Sequence, residues 1–359
     1  MKKMNKTLDF LKKENDKYLN IIISKLEEKN ISDEQITRVE EELNLIYEGN
    51  NSEIIYECLQ LALFCKQNNE PYSLNGTISS LLILYLLGVS KVNPCLINAR
   101  YETGLGIPYE AKSIYLEMRV REAFLNKMVD KAIEINDGKY EPFFQIMESR
   151  HSEPPYPVHI SFLPNTASAN KYFELEEKNG KHFIKKWVSR YSDVPGFSIT
   201  ICPSKLLNDC FDILKDKPNI QFIDGLQKMN YELHSNNFDV IGGIDEEKSI
   251  ALKDNYDLND LISLFCMIHN TYDNFEPEKS VFFDRDSVFE YFMSIGLSKT
   301  NSFHLMENVR KGIFREESVK HLELPQEIIN DFKNIKYLWP RAAAFDLLYY
   351  YLIKCADNK

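Results

Sequence analysis

Residues Ser73–Pro94, SLNGTISSLLILYLLGVSKVNP, place a short turn of Gly, Thr and Ser directly before a run of leucines and isoleucines. A polar turn opening an apolar helix leaves backbone N–H groups unpaired at the helix start, and a glycine lets an anion approach them. The layout is that of a phosphate cradle, lined by Gly76, Thr77, Ser79 and Ser80. As a bare pattern it describes an N-capped core helix equally well. The flanking sequence has to decide what the turn belongs to.

Upstream, the first 70 residues read as three helices. Ile36, Val39, Leu43 and Ile46 recur at helical spacing behind Ser32, and Gln35 completes a capping-box pattern with Ser32. A further apolar helix runs from Ile54 to Phe64. Downstream, from about 97 to 150, the spacing of Tyr115, Met118, Val120, Ala123, Phe124 and Met128 also reads as helical, up to the polar run HSEPP.

The period then shortens to two. Residues 156–162, YPVHISF, alternate, and KYFELEE and HFIKKWV flank Lys178-Asn179-Gly180-Lys181, a two-residue hairpin signal. FSITIC (197–202) reads as another strand, followed by a helix over SKLLNDCFDIL, a short strand NIQFI (219–223) and then NNFDVIGG (236–243). From about 257 the pattern is helical to the end, with Trp339-Pro340 as the clearest interruption. The expected class is α+β: N-terminal helices over 1–70, a small mixed or mostly antiparallel sheet with helices over 71–256, and a helical part over 257–359.

A chain of 359 residues with 44% hydrophobic content has room for a sizeable core. Its apolar runs fall short of the roughly 20 residues of a membrane span, and charge interrupts the first segment too often for a signal peptide. A soluble, cytoplasmic protein without a membrane partner is therefore expected. The seven cysteines contain no C-x-x-C pair and sit mostly in apolar contexts, which predicts reduced thiols. A net charge of -11 opposes strong non-specific binding to nucleic acid, since that binding rests on neutralising phosphates with Lys and Arg. A local basic strand remains, with Lys181, Lys185, Lys186 and Arg190 around Trp187. It suits either a platform for single strands or a solvated face over a packed aromatic.

The turn and its surroundings resemble the palm and fingers of bacterial C-family replicative DNA polymerases, the PolC type above all. In that family a loop G-S-R-G-S-V-G-S-S opens a helix that is followed by V-N-P. Ser73–Leu81 and Val92–Pro94 fall in the same register, with Asn75 at the arginine position and Ser73 and Ser79 at glycine positions. ITRVEEELNLI (36–46) is similar to the family's R-L-E-R-E-L-N. Ile268-His269-Asn270-Thr271 is similar to S-H-G-T, Gly296–Gly312 to G-L-E-P-S-L-A-F-K-I-M-E-S-V-R-K-G, and Asn334–Phe345 to K-I-K-Y-M-F-P-K-A-H-A-A-A-Y. The resemblance implies a palm-like sheet and fingers-like C-terminal helices. It also implies loss of the cysteine zinc module, since Cys95 stands alone at that place. The thumb would be missing too, because the 171–188 hairpin leads almost directly into Val194-Pro195-Gly196-Phe197, which resembles the family's H-P-G-G.

Two metal ions on clustered carboxylates drive in-line displacement in such enzymes. The family's P-D-I-D-L-N-F puts two aspartates on one face of a strand, and here Pro157 and His159 occupy those positions, neither able to bridge hard Mg²⁺. The third aspartate has a counterpart in Asp239, a vestigial catalytic candidate and, with His159, a candidate metal pair. Arg310, Lys311, Lys336 and Arg341 match basic positions of the family's fingers that meet nucleotide or template, whereas Ala343 replaces a histidine. His269 matches a family position in an apolar neighbourhood that equally suits a core histidine. Two functions stay open. One is a catalytically inactive homologue, without a cofactor, that binds DNA, nucleotide or replication proteins; the other is a polymerase or nucleotidyltransferase using Mg²⁺ or Mn²⁺ on atypical ligands.

Overall fold

The computed structural model describes residues 11–12, 14, 16–114, 116–146, 158–164, 170–187, 199–235, 256–273 and 280–357. Asp16 starts the first helix, α1 (Lys17–Glu27), by accepting the N–H groups of Tyr18 and Leu19 at 2.9 and 3.0 Å. The expected capping box of Ser32 and Gln35 opens α2 (Asp33–Glu48), and α3 (Ser52–Gln67) follows. These are the three helices read from the N-terminal pattern.

The expected polar turn and the apolar helix behind it are both present, the helix being short and the turn preceded by a strand. Tyr72–Asn75 form strand β1, Thr77–Ser80 a 3₁₀ turn, and only Leu82–Leu86 an α-helix, α4. A single turn α5 (Glu102–Leu105) and a two-residue pair, β2 (Gly106–Ile107) with β3 (Glu110–Ala111), lead into β4 (Leu116–Val120). Then come α6 (Leu125–Asn136), β5 (Tyr140–Ile146), β6 (Val158–Pro164), β7 (Phe173–Lys178), β8 (Lys181–Trp187) and β9 (Ile199–Pro203). The two strands β4 and β5 correct the helical reading of 97–150. Leu116, Met118 and Val120 are buried at spacing two while Glu117 and Arg119 take the other face, and such short spacing fits both templates until the neighbouring strands are known.

Among the described residues seven strands make one mixed sheet in the order β1-β4-β9-β6-β5-β8-β7. The pairs β4–β9 and β5–β8 are parallel and the others antiparallel. The predicted hairpin joins β7 to β8 through Asn179 and Gly180, both at positive φ as its tight turn requires. The class is α+β, as expected.

After the sheet run α7 (Lys205–Asp216), capped by Ser204, and α8 (Ile223–His234). NIQFI is not a strand, because Ile220 and Phe222 pack against α7 and Tyr350 and the chain turns into α8 at Ile223. The segment NNFDVIGG lies outside the described residues. The C-terminal part comprises α9 (Leu258–His269), β10 (Thr271–Tyr272), α10 (Arg285–Ser294), α11 (Lys299–Arg310), α12 (Gln326–Asn334), β11 (Ile335–Tyr337) and α13 (Arg341–Ala356).

One face of the sheet supplies the largest core. Leu74, Leu116, Met118, Ile160, Phe162, Ile199 and Ile201 cluster with residues of α3 and α6. The last helix, α13, closes the β1 end: the Tyr350 hydroxyl donates to the Tyr72 carbonyl at 2.7 Å, and Asp346 accepts the Leu74 N–H at 2.5 Å. Gly225 lets α8 lie directly on α13, since a Cβ there would meet the Leu352 carbonyl oxygen at 1.8 Å. Among the described residues no helix is long and apolar enough to cross a membrane.

Candidate functional site

Several polar groups of the Ser73 turn are hydrogen-bonded within the protein. Gly76 has φ 92°, and its N–H donates to Asn75 Oδ1 at 2.9 Å. Ser80 Oγ donates to the Thr77 carbonyl at 2.6 Å and Ser79 Oγ to that of Leu74 at 3.4 Å. At the start of α4, where an anion would sit, the N–H groups of Leu82 and Ile83 both donate to the carboxylate of Glu42 at 3.0 Å. Glu42 is fully buried, which pushes its carboxyl up, against the pull of Arg38 at 2.9 Å and of the two amides. The Arg38 guanidinium also donates to the Ser80 carbonyl at 2.6 Å. An internal carboxylate thus fills the anion seat of this helix.

A second polar constellation lies on the sheet face opposite the main core. Because alternate residues share a face, β1 presents Ser73 and Asn75, β4 Glu117 and Arg119, β9 Thr200 and Cys202, and β6 His159 and Ser161. Ser161 and Thr200 share a hydrogen bond at 3.0 Å. Asn75 Nδ2 and Arg119 Nε each donate to Glu117 Oε1 at 2.9 Å. One nitrogen of His159, the Cys202 sulfur and a Glu117 oxygen all lie within 4.8 Å of one another. Among the described residues this is the group of His, Cys, Asp and Glu placed to share a metal ion.

Charge in this cluster follows from burial and from Arg119. Burial pushes the Glu117 carboxyl up, yet Arg119, Asn75 and His159 outweigh it and hold it at about 2. Burial lowers the half-buried His159, with Arg119 adding to the effect and Glu117 opposing it. The Cys202 thiol is raised well above its ordinary value by burial and then by Glu117, to which it hydrogen-bonds. Glu117 and Cys202 escaped the sequence reading. The alternation in LEMRV was a usable sign for Glu117, but nothing local links either residue to His159.

The basic candidates of the C-terminal helical part are held in ion pairs within the chain. Arg310 grips Glu307 through two nitrogens at 2.5 and 2.7 Å, and Lys311 and Lys112 reach the same carboxylate at 3.0 and 2.9 Å. Burial opposes ionisation of Glu307, but Arg310 and Lys112 hold it well below the usual carboxylate range. Lys336 pairs with Asp273 at 2.7 Å. Arg341 pairs with Asp284 and Glu290 at 3.3 and 3.4 Å, and its amide donates to Asp286 at 2.9 Å. His269 stacks on Trp339 with ring centroids 3.8 Å apart, and its Nδ1 lies 2.9 Å from the Phe265 carbonyl. Lys185 is exposed on β8, and the backbone of Lys186 lies opposite that of Glu174 in the β7–β8 register. Arg310, Lys311 and Lys336 are brought to one place, since the Leu338 N–H donates to the Arg310 carbonyl at 3.3 Å and Lys336 packs on Gly312. Asp239, Pro157 and Arg190 lie outside the described residues.

Over 70 residues the chain is 40% identical to the DNA polymerase III PolC-type of Caldanaerobacter subterraneus subsp. tengcongensis. That supports a polymerase relationship over this part of the chain. The match covers 18% of the chain and 5% of that polymerase, and no protein-family model matches. A pair of magnesium ions needs clustered oxygen ligands, and the described donors around His159 are one carboxylate, one imidazole and one thiol. They do not fit it.

Proposed function

We propose that the chain is a catalytically inactive homologue of the PolC-type palm and fingers, acting in the cytoplasm as a binding or regulatory protein for nucleic acid, nucleotide or replication proteins. The observation that carries this reading is on β6. His159, at a position where the resemblance places a metal-bridging aspartate, has beside it, among the described residues, the single carboxylate of Glu117 and the thiol of Cys202. The Glu42 carboxylate in the helix seat and the internal pairing of Arg310, Lys311, Lys336 and Arg341 point the same way. Glu42 occupies two helix-start donors and Glu307 and Asp284 engage the half-buried Arg310 and Arg341, all groups that a triphosphate would otherwise use, while the exposed pairs of Lys311 and Lys336 are weaker competitors.

Primer extension on a primed template with Mg²⁺, Mn²⁺ or Zn²⁺ is expected to give no incorporation of labelled nucleotide. Incorporation that disappears in Asp239→Ala would establish the enzyme and sink the proposal. A salt-sensitive mobility shift with primed DNA, weakened by neutralising Lys185 and Lys186, would make nucleic acid the partner. Without that shift, recovery of a replication protein with the chain from its native host would make the partner a protein.

A further inference from the structure

The chain has five buried cysteines embedded among apolar side chains: Cys58, Cys65, Cys210, Cys266 and Cys355. Cys202 is equally buried, yet its side chain belongs to the polar face and lies beside a carboxylate and an imidazole. We propose that Glu117, His159 and Cys202 form a zinc site on the polar face of the sheet.

Three adjacent strands in the order β4-β9-β6 supply one ligand each, so the backbone hydrogen bonds of the sheet hold the donors in place. The ligating atoms lie within 4.8 Å of one another. Zinc bonds of about 2.0–2.3 Å set tetrahedral ligands roughly 3.3–3.8 Å apart, a separation reached by small side-chain rotations. Sulfur and imidazole nitrogen select zinc over magnesium or calcium, which prefer oxygen. On binding, the Cys202 S–H bond is replaced by a sulfur–zinc bond and one proton passes to solvent. The two positive charges of the ion are then offset by the Cys202 thiolate and the Glu117 carboxylate, so Arg119 faces no net cation. Asn75 and Arg119, both bonded to Glu117 Oε1 at 2.9 Å, orient that ligand from behind. With three protein ligands, the fourth position takes water. The site does not depend on the binding role proposed above, and primer extension does not test it.

The full chain, stripped of metal by a chelator and dialysed, is titrated with Zn²⁺ in competition with a chromophoric chelator, and separately with Co²⁺. A single tight zinc ion and a near-ultraviolet thiolate-to-cobalt absorption band are expected. Cys202→Ser loses the band, and both Cys202→Ser and His159→Ala lose the tight ion, whereas Cys95→Ser, which alters the exposed thiol, keeps both. A wild-type chain that gives no thiolate–cobalt band overturns the site without requiring any variant to fold. A band that survives in folded Cys202→Ser overturns it as well.

Discussion

The two faces of the central sheet are made by the same strands and do opposite work. On one, Leu74, Leu116, Met118, Ile160, Phe162, Ile199 and Ile201 meet α3 and α6. On the other, Asn75, Glu117, Arg119, His159, Ser161, Thr200 and Cys202 hydrogen-bond and pair with one another. The first face stabilises by removing apolar surface from water, at about 25 cal/mol per Å². On the second, each buried polar contact replaces one made to water, so its contribution rests on charge pairing around Glu117 and depends on pH. The contrast is measurable one substitution at a time.

The largest effect belongs to the apolar face. Phe162→Ala, at a site 1% exposed, is expected to cost about 3–5 kcal/mol, read as a drop in the denaturation midpoint with little change in slope. A loss well under 1 kcal/mol would mean that this face is not the main core.

Glu42→Ala comes next, at about 3 kcal/mol, since it strands Arg38 and leaves two buried amides without an acceptor. Inorganic phosphate is expected to restore part of the loss by entering the vacated seat, seen as a rise in Tm absent from the wild type. Failure of that rescue would show that the turn retains no anion affinity.

On the polar face the effect is set by pH. Glu117 sits at about 2 when folded against an ordinary 4.5, so its contribution is complete above about pH 4.5 and is lost as pH falls toward 2. Asp346, beside β1, is pushed by burial to about 7 from 3.8, so its contribution is present below about pH 4 and is lost as pH rises through 7. Glu117→Gln should flatten the acid limb of a stability–pH profile, and Asp346→Asn the neutral one. Profiles that keep both limbs would contradict these environments. Lys185→Ala, at an exposed position, is expected to stay within about 0.5 kcal/mol of wild type.

Legibility in the sequence tracked the range of the interaction. The helices over 17–67, the Ser32 capping box and the Asn179-Gly180 turn are decided within a few residues, and each was readable. The strands β4 and β5 read as helix from the sequence because short apolar spacing is ambiguous until a neighbouring strand pairs with it. His159 was identified through resemblance alone, while Glu117 and Cys202 went unseen, being 42 or more residues from it in the chain.

By itself the sequence determined the α+β class, the N-terminal helices, the hairpin and a partial likeness to PolC-type polymerase, since periodicity, caps and turn residues act locally. Only the tertiary structure decided that Glu42 fills the helix seat and that Glu117, His159 and Cys202 converge. Both depend on strand order and helix docking. These bring distant residues together through burial and backbone pairing, which leave no mark on the spacing along the chain.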